Sequence, residues 1–243
     1  MRLLKAVGIL TALVVLAKIF VFPDYRHRFR LTIEFDTPDG VKSASAVHEV
    51  VRKDVRWILI AHGQYEYRFH GEAIFLDLGR GKHVVALLAH GRPGDGRNGV
   101  HSGSMTFLGV QAYATRRLLP WEYWVPEVPF AGVRDLPTDR VPTLVTFPNV
   151  LDPSTVRVID PFDGKTIEET YGMGYAFRRA TIEAVPAGVW PFDILGIYGE
   201  PITKGLESRL SVMLTTLRDP ARRRRTVHHN DPFRMDAGYL VTP

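Results

Sequence analysis

Apolar and polar residues alternate with a period of two from Arg28 to Phe35. Phe29, Leu31, Ile33 and Phe35 fall on one face, and Arg28, Arg30, Thr32 and Glu34 on the other. That alternation predicts a strand with one side in a core and the other toward water. Pro38-Asp39-Gly40 is a turn signal, so Val41 to Val50 is expected to return as the antiparallel partner. A second hairpin is read in the aromatic run EYRFHGEAIFLDL, the turn Gly79-Arg80-Gly81 and the returning KHVVALLAH. Further strands are expected in VPTLVTF, TVRVIDPF and GYAFRRATIEAV, with Asp163 capping a short helix that ends at Tyr171-Gly172. The period turns helical from Ser104 to Leu119, where Pro120 stops it. It does so again where Leu206, Leu210, Met213, Leu214 and Leu217 share a face before Asp219-Pro220. Together these predict an α+β domain over 26–217: an antiparallel sheet of successive hairpins with two or three packed helices. Residues 91–103 are read as a flexible loop, 119–140 as a Pro/Trp-rich connection and 218–243 as a basic tail.

The opening MRLLKAVGILTALVVLAKIFVF fits neither period. It is uncharged from Ala6 to Ala17, stops at Pro23 and carries Arg2 and Lys5 ahead of the apolar run. A helix over 3–22 would rise about 30 Å, the thickness of a bilayer core, which predicts one transmembrane helix. A cleaved signal peptide ending near Val15-Leu16-Ala17 is the competing reading. The basic head favours a single-pass protein of a bacterial inner membrane with a periplasmic body, although Arg26, Arg28 and Arg30 pull the other way.

Composition narrows the function classes. The chain has 243 residues, 45% of them hydrophobic, which is enough for a substantial core and argues against wholesale disorder. It has no cysteine, which excludes disulfides, cysteine-ligated zinc and a thiol nucleophile. The net charge of +5 would suit an anionic partner, but RHRFR and RRRR alone carry seven arginines, so the body is close to neutral.

Four stretches, YRHRFRLTIEFDTPDGVKSAS, FHGEAIFLDLGRGKHVVALLA, PTLVTFPNVLDPSTVRVIDP and AFRRATIEAV with EPITKGLESRL, together resemble a family of membrane-anchored bacterial proteins of uncharacterised function. The resemblance covers about a third of the chain. It implies the architecture and an N-terminal anchor, and it assigns no catalytic residue.

Gly94, Gly96 and Gly99 have the G-x-G-x-x-G spacing of a dinucleotide loop. Their context does not fit: the strand before them is the second arm of a hairpin, and RNGVHSGS after them is turn-forming where a helix is required. No G-x-S-x-G run accompanies them, so an α/β-hydrolase elbow is also excluded. The chain is therefore read as taking no nucleotide and no cofactor.

Five histidines, His62, His70, His83, His90 and His101, fall within forty residues. Pairing of Tyr65–His70 with His83–His90 in one hairpin would set His70 opposite His83, the weak candidates for a metal pair. Asp152, Asp160, Asp163, Glu168 and Glu169 could gather as carboxylates, but aspartate before proline is ordinary turn chemistry. Arg222, Arg223, Arg224 and Arg225 are candidates for binding an anionic surface; nucleic acid is disfavoured because no aromatic platform accompanies them. Trp121, Tyr123, Trp124 and Phe130, set among prolines, are candidates for contact with a protein partner. The leading expectation is a non-enzymatic, membrane-anchored envelope protein that binds a partner or serves an assembly. The alternative is an anchored hydrolase or metal-dependent enzyme using the histidines or carboxylates; it trails because no motif orders nucleophile, base and orienter.

Overall fold

The computed structural model describes residues 2–21, 24–55, 65–91, 102–113, 131–188, 198–218 and 240–241. Helix α1 (Arg2–Phe20) precedes β1 (Tyr25–Thr37), β2 (Gly40–Asp54), β3 (Tyr65–His70), β4 (Ile74–Gly79) and β5 (Lys82–His90). A 3-10 turn at Ser102–Phe107 leads into α2 (Leu108–Tyr113) and is followed by β6 (Val133–Asp135), β7 (Pro142–Thr146), β8 (Arg157–Ile159), α3 (Gly164–Tyr171) and β9 (Ala176–Val185). Short helices α4 (Leu206–Arg209) and α5 (Ser211–Arg218) come last.

The strands form two antiparallel sheets rather than one, so the fold is α+β as expected but divided differently. One sheet runs β3-β2-β1-β9-β6 and the other β4-β5-β7-β8. The first hairpin has the expected turn, with Thr37 opposite Gly40, whose φ of 105° suits glycine. Phe29, Leu31, Ile33 and Phe35 are buried and share one continuous core with Leu76 and Leu78 of β4, Val84 to Ala89 of β5, and Leu144. β5 is buried on both faces between its two polar ends, which is why its apolar run does not alternate.

The second hairpin differs from its expectation. Only β4 and β5 pair across Gly79-Arg80-Gly81; β3 pairs with β2 in the other sheet, and Gly71 to Ala73 carries the chain across. Alternation tells which face of a strand is buried and is silent on which neighbour it joins. The helical face near the C-terminus is split, because the backbone at Leu210 (φ −119°, ψ 28°) ends α4 before α5 starts; Leu206, Leu210 and Leu214 are nevertheless buried. Within the stretch read as connection, Val133–Asp135 forms the edge strand beside β9. Within the stretch read as tail, Leu240 is fully buried and Val241 bridges Glu72.

The membrane-spanning expectation is overturned. α1 forms over 19 residues, yet among the described residues no helix is long and apolar enough to cross a membrane. The uncharged run Ala6–Ala17 between Lys5 and Lys18 rises only about 18 Å, against about 30 Å of hydrocarbon. Lys18 is also held by protein: its Nζ donates to the Asp24 carboxylate at 2.7 Å and to the Asp54 carbonyl at 3.3 Å, tying the last turn to the ends of β1 and β2. The transmembrane helix, the signal anchor and the single-pass inner-membrane placement are withdrawn.

Candidate functional site

The end of the two-sheet body where α1 joins it gathers arginine, tyrosine and histidine. Strand register makes the cluster: Tyr25 lies opposite Arg52, Arg52 opposite Tyr67, and Asp54 opposite Tyr65. The Arg52 guanidinium stands 5.5 Å from the Tyr25 ring centroid and 4.8 Å from that of Tyr65, within reach of cation–π attraction to both. Burial pushes the Tyr25 and Tyr67 phenols above the ordinary tyrosine range, and the Arg52 charge opposes that rise. Both therefore stay protonated at neutral pH and keep a donor. Tyr67 packs on Phe107 at 5.3 Å between ring centroids.

One pleat further in, His27 presents buried ring nitrogens, and Gly109 lies beside its ring, where a Cβ would stand 3.4 Å from Nε2 in ordinary contact. Burial, helped by the Arg52 charge, lowers the His27 pKa to about 4, so the ring is neutral in the folded protein. On the opposite face of the same strands, Arg28 donates to the buried Glu49 carboxylate at 2.8 Å, and Arg26 lies 3.6 Å from it. Arg30 reaches both Glu183 and Glu200. Gly199 passes so close beneath Arg28 that a Cβ would lie 2.5 Å from Nη1.

From this end projects α1, apolar on all sides. Val7, Ile9, Leu10, Leu13, Val14, Val15 and Leu16 are between 49% and 64% exposed. Half-buried tyrosines, a ring-stacked arginine and a bare apolar helix are the materials of a protein-binding surface.

The metal pair read from the sequence is not assembled. His70 ends β3 opposite Glu49, whereas His83 lies in β5 of the other sheet, opposite Asp77. His83 stacks on Phe75 at 5.0 Å, and its Nε2 accepts the Phe147 N–H at 3.4 Å, which commits the lone pair a metal would need. Burial holds its pKa below the ordinary histidine value. Among the described residues no three histidine or carboxylate side chains are grouped to hold a metal ion. Asp152, Asp160 and Asp163 bond the backbone N–H groups of Ser154, Phe162 and Lys165 respectively, which is turn and cap chemistry. Trp121, Tyr123, Trp124, Phe130, Arg222, Arg223, Arg224, Arg225, His62, His101 and the glycines of 92–101 lie outside the described residues.

Sequence reasoning missed the Arg52 cluster and the buried histidines. The signal that could have found the histidines was phase: His27 and His48 occupy the same alternation as Phe29 and Ala46, which places them on the core face. Comparisons with protein families, curated proteins and solved structures found no match.

Proposed function

We propose that the protein is a non-enzymatic binding and assembly module, and that it assembles through α1, packed against the α1 of other copies of the same chain. The observation that carries this reading is the set of exposed apolar side chains on α1. A helix apolar on every side is stable in water only when neighbours cover it. Its seven large side chains offer on the order of 600 Å² of apolar surface per copy, near the ~800 Å² a side that a stable complex buries. Identical helices meet without repulsion along Ala6–Ala17, which holds no charge, and Lys18 is already neutralised by Asp24. The tyrosines around Arg52 stand at the base of the helix, where they would form the polar rim of the contact.

Sedimentation velocity tests the proposal. The parent chain is expected to associate with rising concentration, and a variant carrying Leu10→Glu and Val14→Glu, one turn apart, to sediment as a monomer with unchanged thermal unfolding. A parent chain that remains monomeric through the high-micromolar range rejects it.

A further inference from the structure

The Gly71–Ala73 connection joins four parts of the molecule at one point. The Glu72 carbonyl is bonded to His48 Nε2 of β2 at 3.0 Å, and its carboxylate accepts the Leu206 N–H at the start of α4 at 2.7 Å. Glu72 also bridges Val241, and the Ala73 N–H donates to the Leu240 carbonyl at 2.7 Å. The whole knot sits on the His48 ring: a Cβ at Gly71 would stand 2.2 Å from His48 Cδ2.

His48 is fully buried, with Phe29 at 5.3 Å and Phe69 at 5.4 Å between ring centroids. Its Nε2 proton is used on Glu72, so a second proton must go to Nδ1, which is buried with no hydrogen-bond partner. An imidazolium there would be a buried charge with an unsatisfied donor, and it reaches water only if its cover lifts. The Gly71–Ala73 connection lies against the Cδ2–Nε2 edge of that ring and, unlike the strands that bring Phe29 and Phe69 to it, belongs to neither sheet.

We propose that His48 and Glu72 form an acid-sensitive latch, which holds α4 and the chain end at Leu240–Val241 against the sheets and opens when His48 takes up its second proton. Burial lowers the His48 pKa from 6.5 to about 4, outweighing the bond to the Glu72 carbonyl, which favours the charged ring, so the closed latch holds the neutral ring. The latch is fully closed above the unperturbed value of 6.5 and loosens as pH falls toward 4. The other titratable groups around the ring are few. His27 lies across the Phe29 ring on β1; His70 and Glu49, the latter paired with Arg28, occupy the opposite face of the sheet. Glu72 directs its carboxylate at Leu206, and Glu207 and Arg209 of α4 are exposed.

Proton–nitrogen NMR spectra of the full chain, recorded from neutral pH down to about 4, test the latch. The Ala73 and Leu206 amides are expected to lose their bonded shifts together, while Leu31 and Val85 in the core keep theirs. His48→Gln retains an N–H donor without titrating and should abolish the transition; Glu72→Gln and His27→Gln should leave its midpoint in place. In the parent chain the His48 ring resonances must titrate with the same midpoint as the two amides, a readout that survives if His48→Gln does not fold. An unchanged transition in His48→Gln, a midpoint that moves with Glu72→Gln or His27→Gln, a ring that titrates apart from the amides, or simultaneous loss of core and latch amides would each overturn the proposal.

Discussion

Arg28 and Arg179 project from the same face of one sheet, and both pair with a glutamate, yet their removal should have different consequences. Arg28 is only 7% exposed, and its partner Glu49 is buried, so Arg28→Ala leaves a carboxylate in a site closed to water. A loss of about 3 kcal/mol is expected. Arg179 grips Glu34 with two bonds of 2.9 and 3.0 Å but is half exposed, so solvent screens the pair and Arg179→Ala should cost far less. Urea unfolding of the two variants measures the contrast; equal losses would refute burial as the source of the difference. His27 and His48 supply a pH prediction of definite sign. Burial lowers each from 6.5 to about 4, so the unfolded chain binds these protons more readily than the folded one. Their contribution, on the order of 3 kcal/mol each, is complete above pH 6.5 and is lost progressively down to pH 4. His27→Phe should flatten the fall in urea midpoint across that window. The burial of the histidines was missed although their phase, shared with core residues, carries it. That of Arg28 was not legible: it lies on the polar phase and is covered by residues some 170 positions away, where Glu200 accepts its Nη1 proton and Thr203 bonds Val47. No local pattern records a contact of that range.

Among the elements, those specified by neighbouring residues were readable and those specified by distant ones were not. Pro38-Asp39-Gly40 and Gly79-Arg80-Gly81 each encode a turn within the turn itself, and Asp163 caps α3 by accepting from Lys165 two residues on. The strand Tyr65–His70 was legible as a strand, but its partner was not, since β2 and β4 are equally suited to an alternating neighbour. The chain end misled for a related reason. The arginine run beginning at Arg222 suggested a solvated tail, while Leu240, beyond it, is fully buried and its carbonyl receives the Ala73 N–H. Truncation after Arg218 should therefore cost about 2–4 kcal/mol, from one lost leucine side chain and one orphaned buried donor. Leu240→Ala should account for most of that loss, and Leu210→Ala in the packed helix pair should cost a similar 2–5 kcal/mol. Thermal unfolding of the three variants checks the ranking. A truncated chain as stable as the parent would return 218–243 to the status of tail.

At the scale of the whole molecule, the two sheets enclose a continuous core that, among the described residues, includes no side chain of α1. The described ties between helix and body lie at its last turn, where Lys18 bonds Asp24 and Asp54. Folding and assembly should therefore separate cleanly. A chain lacking residues 2–16 keeps Lys18 and every described core residue, and its thermal midpoint, measured at a dilution where the parent is dissociated, is expected to lie within about 2 °C of the parent's, a change of no more than about 1 kcal/mol in a domain of this size. The same truncation should abolish concentration-dependent association, since it removes all the exposed leucines of α1. Salt then discriminates between the parts of the contact. Burial of apolar side chains is not screened, whereas pairing at the arginine-rich rim is, with a Debye length of about 3 Å at 1 M ionic strength. Association of the parent chain should thus persist in 1 M salt while its on-rate rises, because screening removes the repulsion between two copies of a like-charged rim. Light scattering of parent and truncated chains at low and high salt reads both effects. Dissociation of the parent by salt alone would place the contact at the rim around Arg52 and not on α1, and an unfolded truncated chain would make the helix a part of the core that the structure leaves it out of.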